Sequence, residues 1–266
     1  MKNKALKKII VSALAAAALA AACLLGLLDR ADSVFSDRLY NRPEAGDGEI
    51  VIIGMDQAAL DEFGPMPWPR DIMADAIAFL NADENSRPAV IGVDVLYVGK
   101  SADEYADMLL AEACAEGGNV VLAAAASFGS ELVAGDSGFY MDTRAILAWD
   151  APFEELAAVT ETGHINAMAD NDAIMRHALY SIDVPGAGSV KPFARVVYEA
   201  YCRHRGEKPK AEPDTTGGFF YLPYSAAHGA FYDGVSVADL YYGEVETDYF
   251  ADKIVLIGPY AAGMQD

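Results

Sequence analysis

Positive charge is scarce in this chain. Its 266 residues hold 19 Lys and Arg against 40 Asp and Glu, a formal net charge of −21. Four of the basic residues and one of the acidic ones lie in the first 29 positions, leaving 15 against 39, a formal −24, for the rest. A surface of that sign repels phosphate backbones and excludes a nucleic-acid partner. It also repels anionic lipid headgroups, so the main body stands off a bilayer surface. Cysteine is scarce too. Cys23 lies in an apolar run, and Cys114 and Cys202 lie in separate helical stretches without metal-type spacing. They can pair only if their Cα atoms come within about 7 Å, so two buried free thiols are expected.

Catalytic signatures are missing as well. The sequence has no Walker A loop and no G-x-S-x-G elbow. Gly186-Ala187-Gly188 lacks the third glycine of a dinucleotide turn. His164, His177, His204 and His228 show neither H-x-x-x-H nor H-E-x-x-H spacing. Asp170-Asn171-Asp172 begins like a calcium loop, but Ile174 and Met175 stand where an oxygen ligand and a glycine are needed. A turn before a strand fits those residues better. The expectation is therefore no catalytic residue, no metal and no cofactor in this chain.

What is present begins with a basic segment, residues 1–8 (MKNKALKK), followed by an uncharged run over residues 9–28 (IIVSALAAAALAAACLLGLL). Twenty such residues span roughly 30 Å as a helix, about a bilayer's hydrocarbon thickness. A cleaved signal peptide and a lipoprotein signal ending at Cys23 compete with an uncleaved anchor. The apolar run continues past Cys23 to spanning length, so a transmembrane signal anchor fits best. Its basic flank would stay in the cytoplasm, placing the rest outside. Residues 29–48 read as a polar stalk, and residues 49–266 as one domain.

Within that domain, short apolar runs alternate with helical patterns. EIVIIGM (49–55), AVIGVDV (89–95), NVVLAAA (119–125) and KIVLI (253–257) read as strands buried on both faces. Residues 69–80 place Ile72, Met73, Ala76, Phe79 and Leu80 on one stripe. Residues 101–116 open with a capping box from Ser101 to Glu104, and residues 192–205 show a third apolar stripe. This order predicts an α/β fold, a mostly parallel or mixed sheet covered by helices and preceded by the transmembrane helix. The middle is less regular: residues 127–148 read as a loop or an excursion of short strands, Asp150 as a helix cap, and residues 174–184 as one half-exposed strand. The chain stops soon after KIVLI, which reads as a truncated sheet domain.

Two carboxylates stand out. Asp56 follows the first strand and Asp94 lies near the end of the second. If those strands are parallel neighbours, both acids approach the carboxyl edge where open α/β sheets bind ligands. They form a polar pocket or cation site there, or else cap the following turns or pair with Arg70. Trp68, in the segment PMPWPR over residues 65–70, plugs the core or walls a cleft. Asp56, Trp68, Arg70 and Asp94 are thus the ligand-binding candidates.

The run IVIIGMDQAALDEFGPMPWPRDIMADAIAFL followed by AVIGVDVLY resembles the CHASE2 domain, an extracellular sensory module of bacterial receptors. The resemblance rests on Asp56, Gly64, Pro67-Trp68-Pro69-Arg70, Gly92 and Asp94. It continues through Asp107 and Leu109, NVVLAA, Gly163 to Asn166, and Asp170, Asp172 and Arg176, with Ala173 in place of a glycine. Gly64, Pro67, Pro69, Gly163, Asn166, Asp170, Asp172 and Arg176 would then be structural positions of the family. The resemblance implies an input domain that passes a stimulus through membrane helices to a cytoplasmic nucleotide cyclase or protein kinase. Its partner would be an extracytoplasmic small molecule or protein, with homodimerisation left open. Two rivals remain: a metal-dependent hydrolase using Asp56 and Asp94, and a non-sensing dimerisation tether.

Overall fold

A computed structural model describes residues 2–24, 26, 35, 37–38, 48–135, 138–170, 172–215, 218–224 and 232–261. The chain divides into two compact units, residues 1–45 with 223–227, and residues 46–222 with 228–266. In the first, helix α1 spans Lys2–Leu24. The expected transmembrane helix over residues 9–28 is overturned: among the described residues no helix is long and apolar enough to cross a membrane. The helix starts inside the lysine cluster and ends at Leu24, and the Gly26 N–H then turns back to the Cys23 carbonyl. From Ile9 to Leu24 its uncharged part measures about 24 Å, short of the roughly 30 Å hydrocarbon core. Leu27, Leu28 and most of the expected stalk lie outside the described residues.

The second unit is α/β. Strand β1 (Ile50–Met55) leads into α2 (Gln57–Phe63) and α3 (Arg70–Leu80). Strand β2 (Val90–Val93) leads through α4 (Glu104–Gly117) to β3 (Val120–Gly135). There follow β4 (Gly138–Asp150), α5 (Glu154–Ala157), β5 (Glu161–His164), β6 (Ala167–Met168), β7 (His177–Leu179), β8 (Ile182–Val184) and β9 (Gly188–Val190). Helix α6 (Phe193–Arg205), β10 (Phe219–Tyr221), β11 (Val235–Ser236), α7 (Val237–Tyr242) and β12 (Ile254–Pro259) complete the described elements, with a 3-10 turn at Thr247–Phe250.

The main sheet is mixed. Its order is β11-β1-β12-β2-β3-β4, with β5 also on β3. All pairings are parallel except β3 with β4. Strand alternation sets the two faces. Val51, Ile53, Met55, Ile91, Val93, Leu122, Val255 and Ile257 form the larger core with Ile72, Met73, Ile77 and Leu80 of α3, Leu110 of α4 and Leu240 of α7. Val90, Val121 and Ile254, on the other face, meet Val196, Val197 and Tyr201 of α6. That cover is partial: Ile50 remains 49% exposed, so β1 is not buried on both faces as its continuous apolar run suggests. Helix α6 lies close because glycines stand beneath it. A Cβ on Gly163 would fall 2.4 Å from the Phe193 Cα, and one on Gly92 2.9 Å from the Phe193 ring.

The irregular middle holds more structure than its sequence shows. Residues 127–135 and 138–148 belong to β3 and β4, a long antiparallel arm with register shifts after Ser127 and Gly129. Asn166 fixes the point where β3 changes partner from β5 to β4. Its side chain accepts from the Ala126 N–H at 2.8 Å and donates to the Ala126 carbonyl at 2.6 Å, as a neighbouring strand would. The single strand expected over residues 174–184 is instead two short ones, β7 and β8, in separate small sheets. Asp150 ends β4, and Phe153, not Asp150, precedes the short helix. Asp103, not Ser101, caps α4 through the Tyr105 and Ala106 N–H groups. Cys114 and Cys202 are buried and free.

Asp170, Asp172 and Arg176 form an ion cluster. The Arg176 guanidinium, nearly buried, reaches Asp170 at 3.0 Å and Asp172 at 2.9 Å. Ala173, where the family pattern has glycine, adopts φ 64°. An L-residue there costs about 1–2 kcal/mol, while glycine loses more backbone entropy on folding. Ala173→Gly is therefore expected to stabilise the domain by about 0.5 kcal/mol, read as a small upward shift of the urea midpoint.

Candidate functional site

The four candidates gather at the carboxyl edge of the parallel strands but do not converge on one point. β12 lies between β1 and β2, so the two acids are not on neighbouring strands. They flank β12 instead. The Asp94 N–H donates to the Ile257 carbonyl at 2.8 Å, and a Cβ on Gly258 would meet the Asp94 Cβ at 3.2 Å.

Asp56 is the N-cap of α2. Its Oδ1 accepts from the Ala59 N–H at 3.1 Å and the Ser236 hydroxyl at 2.7 Å, and its Oδ2 accepts from the Tyr232 hydroxyl at 2.7 Å. Burial disfavours its charge, but the donors from Ser236, Ala59 and Tyr232 outweigh that and hold the carboxyl below its ordinary range. Burial, and after it the same contact, drives the Tyr232 phenol upward. Asp56→Ala removes a helix cap and strands two hydroxyls, so it is expected to cost about 2–3 kcal/mol. Asp56→Asn, which can still cap, should retain most of the stability; equal losses in urea unfolding would contradict the capping role.

Trp68 and Arg70 line one small cavity with Met55 at the end of β1 and Val95 after β2. Trp68 packs against the larger core, donates its indole N–H to the Gly64 carbonyl at 2.7 Å, and meets Phe63 edge-to-face at 5.2 Å. Gly64 can end α2 there because its φ is 82°. Pro67, joined to Met66 by a cis peptide, and Pro69, the N-cap residue of α3, hold the segment between. Together with Met55, Met73, Val95 and Tyr97 these residues line a cavity of about 100 Å3, small and mostly apolar.

Arg70 pairs with a third acid, Asp107. Its guanidinium donates to Asp107 at 2.7 Å and to the Gly99 carbonyl at 2.8 Å. It also lies over the rings of Phe153 and Tyr97, 4.8 and 5.5 Å from their centroids. The pair is nearly dry, with side-chain exposures of 12% for Arg70 and 5% for Asp107. Burial alone would raise the Asp107 pKa; the Ser101 hydrogen bond and Arg70 more than reverse it, and the carboxyl stays below its usual range. The clamp ties the start of α3 to α4 and to residues 97–99 after β2.

Sequence reasoning missed three of these partners. Ser236 was legible, since Ser236-Val237-Ala238-Asp239 is a capping box and forms one. Tyr232 carries no local signal, and Asp107 stood only among the positions of the family resemblance, with nothing to mark it as the partner of Arg70. Among the described residues no group of three or more His, Cys, Asp or Glu could hold a metal ion.

No curated protein and no solved structure matched the chain. The profile of the CHASE2 domain matches residues 13–266, nearly the whole length. The chain therefore belongs to the CHASE2 domain family, a family of extracellular sensory domains, and not of catalytic ones.

Proposed function

We propose that this chain is the extracytoplasmic input domain of a bacterial membrane receptor, and that it passes a stimulus to a cytoplasmic nucleotide cyclase or protein kinase. The observation that carries the reading is the family match over residues 13–266. The state of Asp56 supports it over a metal-dependent hydrolase. A metal-dependent hydrolase would need Asp56 to offer its oxygens to a cation, yet both accept hydrogen bonds from the protein. Signal transfer would be a population shift, in which a ligand binds one arrangement of the domain more tightly than another. Its binding partner would be a small molecule or a protein, and the carboxyl-edge cavity by Trp68 and Arg70 is the first place to test.

The test uses the intact receptor carrying Trp68→Phe or Asp94→Asn, at matched abundance. Altered output, basal or stimulated, supports sensing at this edge. Output indistinguishable from the parent, with a changed oligomeric state after surface substitutions elsewhere, would instead favour a tether.

A further inference from the structure

Helix α4 carries apolar residues on two sides. Leu110, Ala113 and Cys114 enter the larger core. Met108, Ala111 and Ala115 form a second row at helical spacing and line a groove of about 400 Å3, whose other wall is Phe153 and Val159. Met108 and Val159 remain 45% and 37% exposed. The volume falls in the range of small-molecule sites, roughly 300–1,000 Å3.

Charge around the groove is one-sided. Glu104, Asp107, Glu112 and Glu155 stand on its rim with a single ammonium, Lys100. Arg70 compensates Asp107, and Lys100 pairs with Glu155. Glu104 and Glu112 have no ion pair among the described residues. The resident ammonium shows what this rim favours. Its hydrogen bond to Glu155, with further attraction from Glu155, Glu104 and Asp107, holds the Lys100 pKa above the ordinary lysine value. An anion would meet this rim on a chain that is already strongly acidic.

From the apolar floor and the excess of carboxylates we infer that the groove binds a small organic cation, an ammonium joined to an aromatic or alkyl body. The body covers Met108, Ala111 and Phe153, and the ammonium sits by Glu104 and Glu112. Binding stands on the groove alone; its use as the stimulus site rests on the sensory reading above. Asp107 supplies the connection, because it lines the groove and holds Arg70.

Three probes of similar shape test this on the full chain: 3-phenylpropylammonium, 3-phenylpropanol and 3-phenylpropionate, titrated while the Met108 methyl resonance is followed. The cation is expected to bind about tenfold more tightly than the alcohol, and the carboxylate more weakly than either. Glu104→Gln and Glu112→Gln should each weaken the cation about threefold and leave the alcohol unchanged. Lys100→Met should strengthen the cation about threefold, a direction that simple damage to the fold does not produce. Ala115→Leu, which fills the groove at an exposed helical position, should abolish all three. Equal affinity for cation and alcohol, no shift of Met108 with the cation, or weaker cation binding in Lys100→Met would overturn the inference. Receptor output separates the two levels. No cation binding in a receptor that still responds to its stimulus overturns the groove and spares the sensory reading. Cation binding without any change in output supports the groove and counts against its use in sensing.

Discussion

Replacing Arg70 with Met is expected to destabilise the domain by about 3–4 kcal/mol. Asp107 would then be a carboxylate at 5% exposure without its counter-charge, and such an orphan costs far more than the intact pair contributes. The Gly99 carbonyl and the rings of Phe153 and Tyr97 would lose contacts too. Arg70→Lys should fall between parent and Met, because an ammonium keeps the charge but cannot make the planar fork over two rings. The double variant Arg70→Met with Asp107→Leu should be more stable than the sum of the singles by about 1–3 kcal/mol, since it leaves no unpaired charge. Urea unfolding of the four proteins gives the cycle. Strictly additive losses, or an Arg70→Met loss below about 1 kcal/mol, would show that the clamp is incidental to the fold.

The second large effect is a pH dependence located at His164. This residue ends β5 next to Gly163 and, by strand alternation, faces away from α6. It is 2% exposed, and neither ring nitrogen has a hydrogen-bond partner among the described residues. Burial pushes its pKa down to about 4. An unfolded histidine titrates near 6.5. Between those values the unfolded chain takes up a proton that the folded chain refuses. Stability therefore falls as pH drops from about 6.5 to about 4, and this residue adds no slope outside that window. About 2 kcal/mol should be lost between pH 7 and pH 5 on this account. His164→Leu should remove that slope, so that the variant gains on the parent as the solution is acidified. Parallel stability curves for parent and variant over this range would contradict the burial of a neutral imidazole.

Legibility in the sequence followed the range of the contacts. The four core strands and three main helices lie close to where their periodicity places them, because burial on the sheet and helical spacing are local patterns. Order in the sheet was not local. Nothing in IVIIGM or VIGV says that IVLIGP, some two hundred residues on, inserts between them and separates Asp56 from Asp94. The arm of β3 and β4 was hidden for a related reason. Phe128, Ile146 and Trp149 pack with the small strands β7 to β9, and that tertiary cover stabilises residues with weak strand patterning of their own. At the candidate site, capping by Asp56 and core packing by Trp68 were each one of two readings the sequence left open. The choice Arg70 makes between Asp94 and Asp107 was not legible, since both carboxylates fit the chemistry and only the path of residues 97–107 decides. The transmembrane expectation counted Leu27 and Leu28, which lie outside the described residues, and the described helix Lys2–Leu24 is not long and apolar enough to cross a membrane.

The most direct measurement is the output of the intact receptor, as cyclic nucleotide formed or phosphoryl groups transferred, with residues 49–266 present and deleted. An input domain predicts that deletion abolishes the response to the stimulus or fixes output at one level. Output that still rises and falls as in the parent would contradict the sensory account.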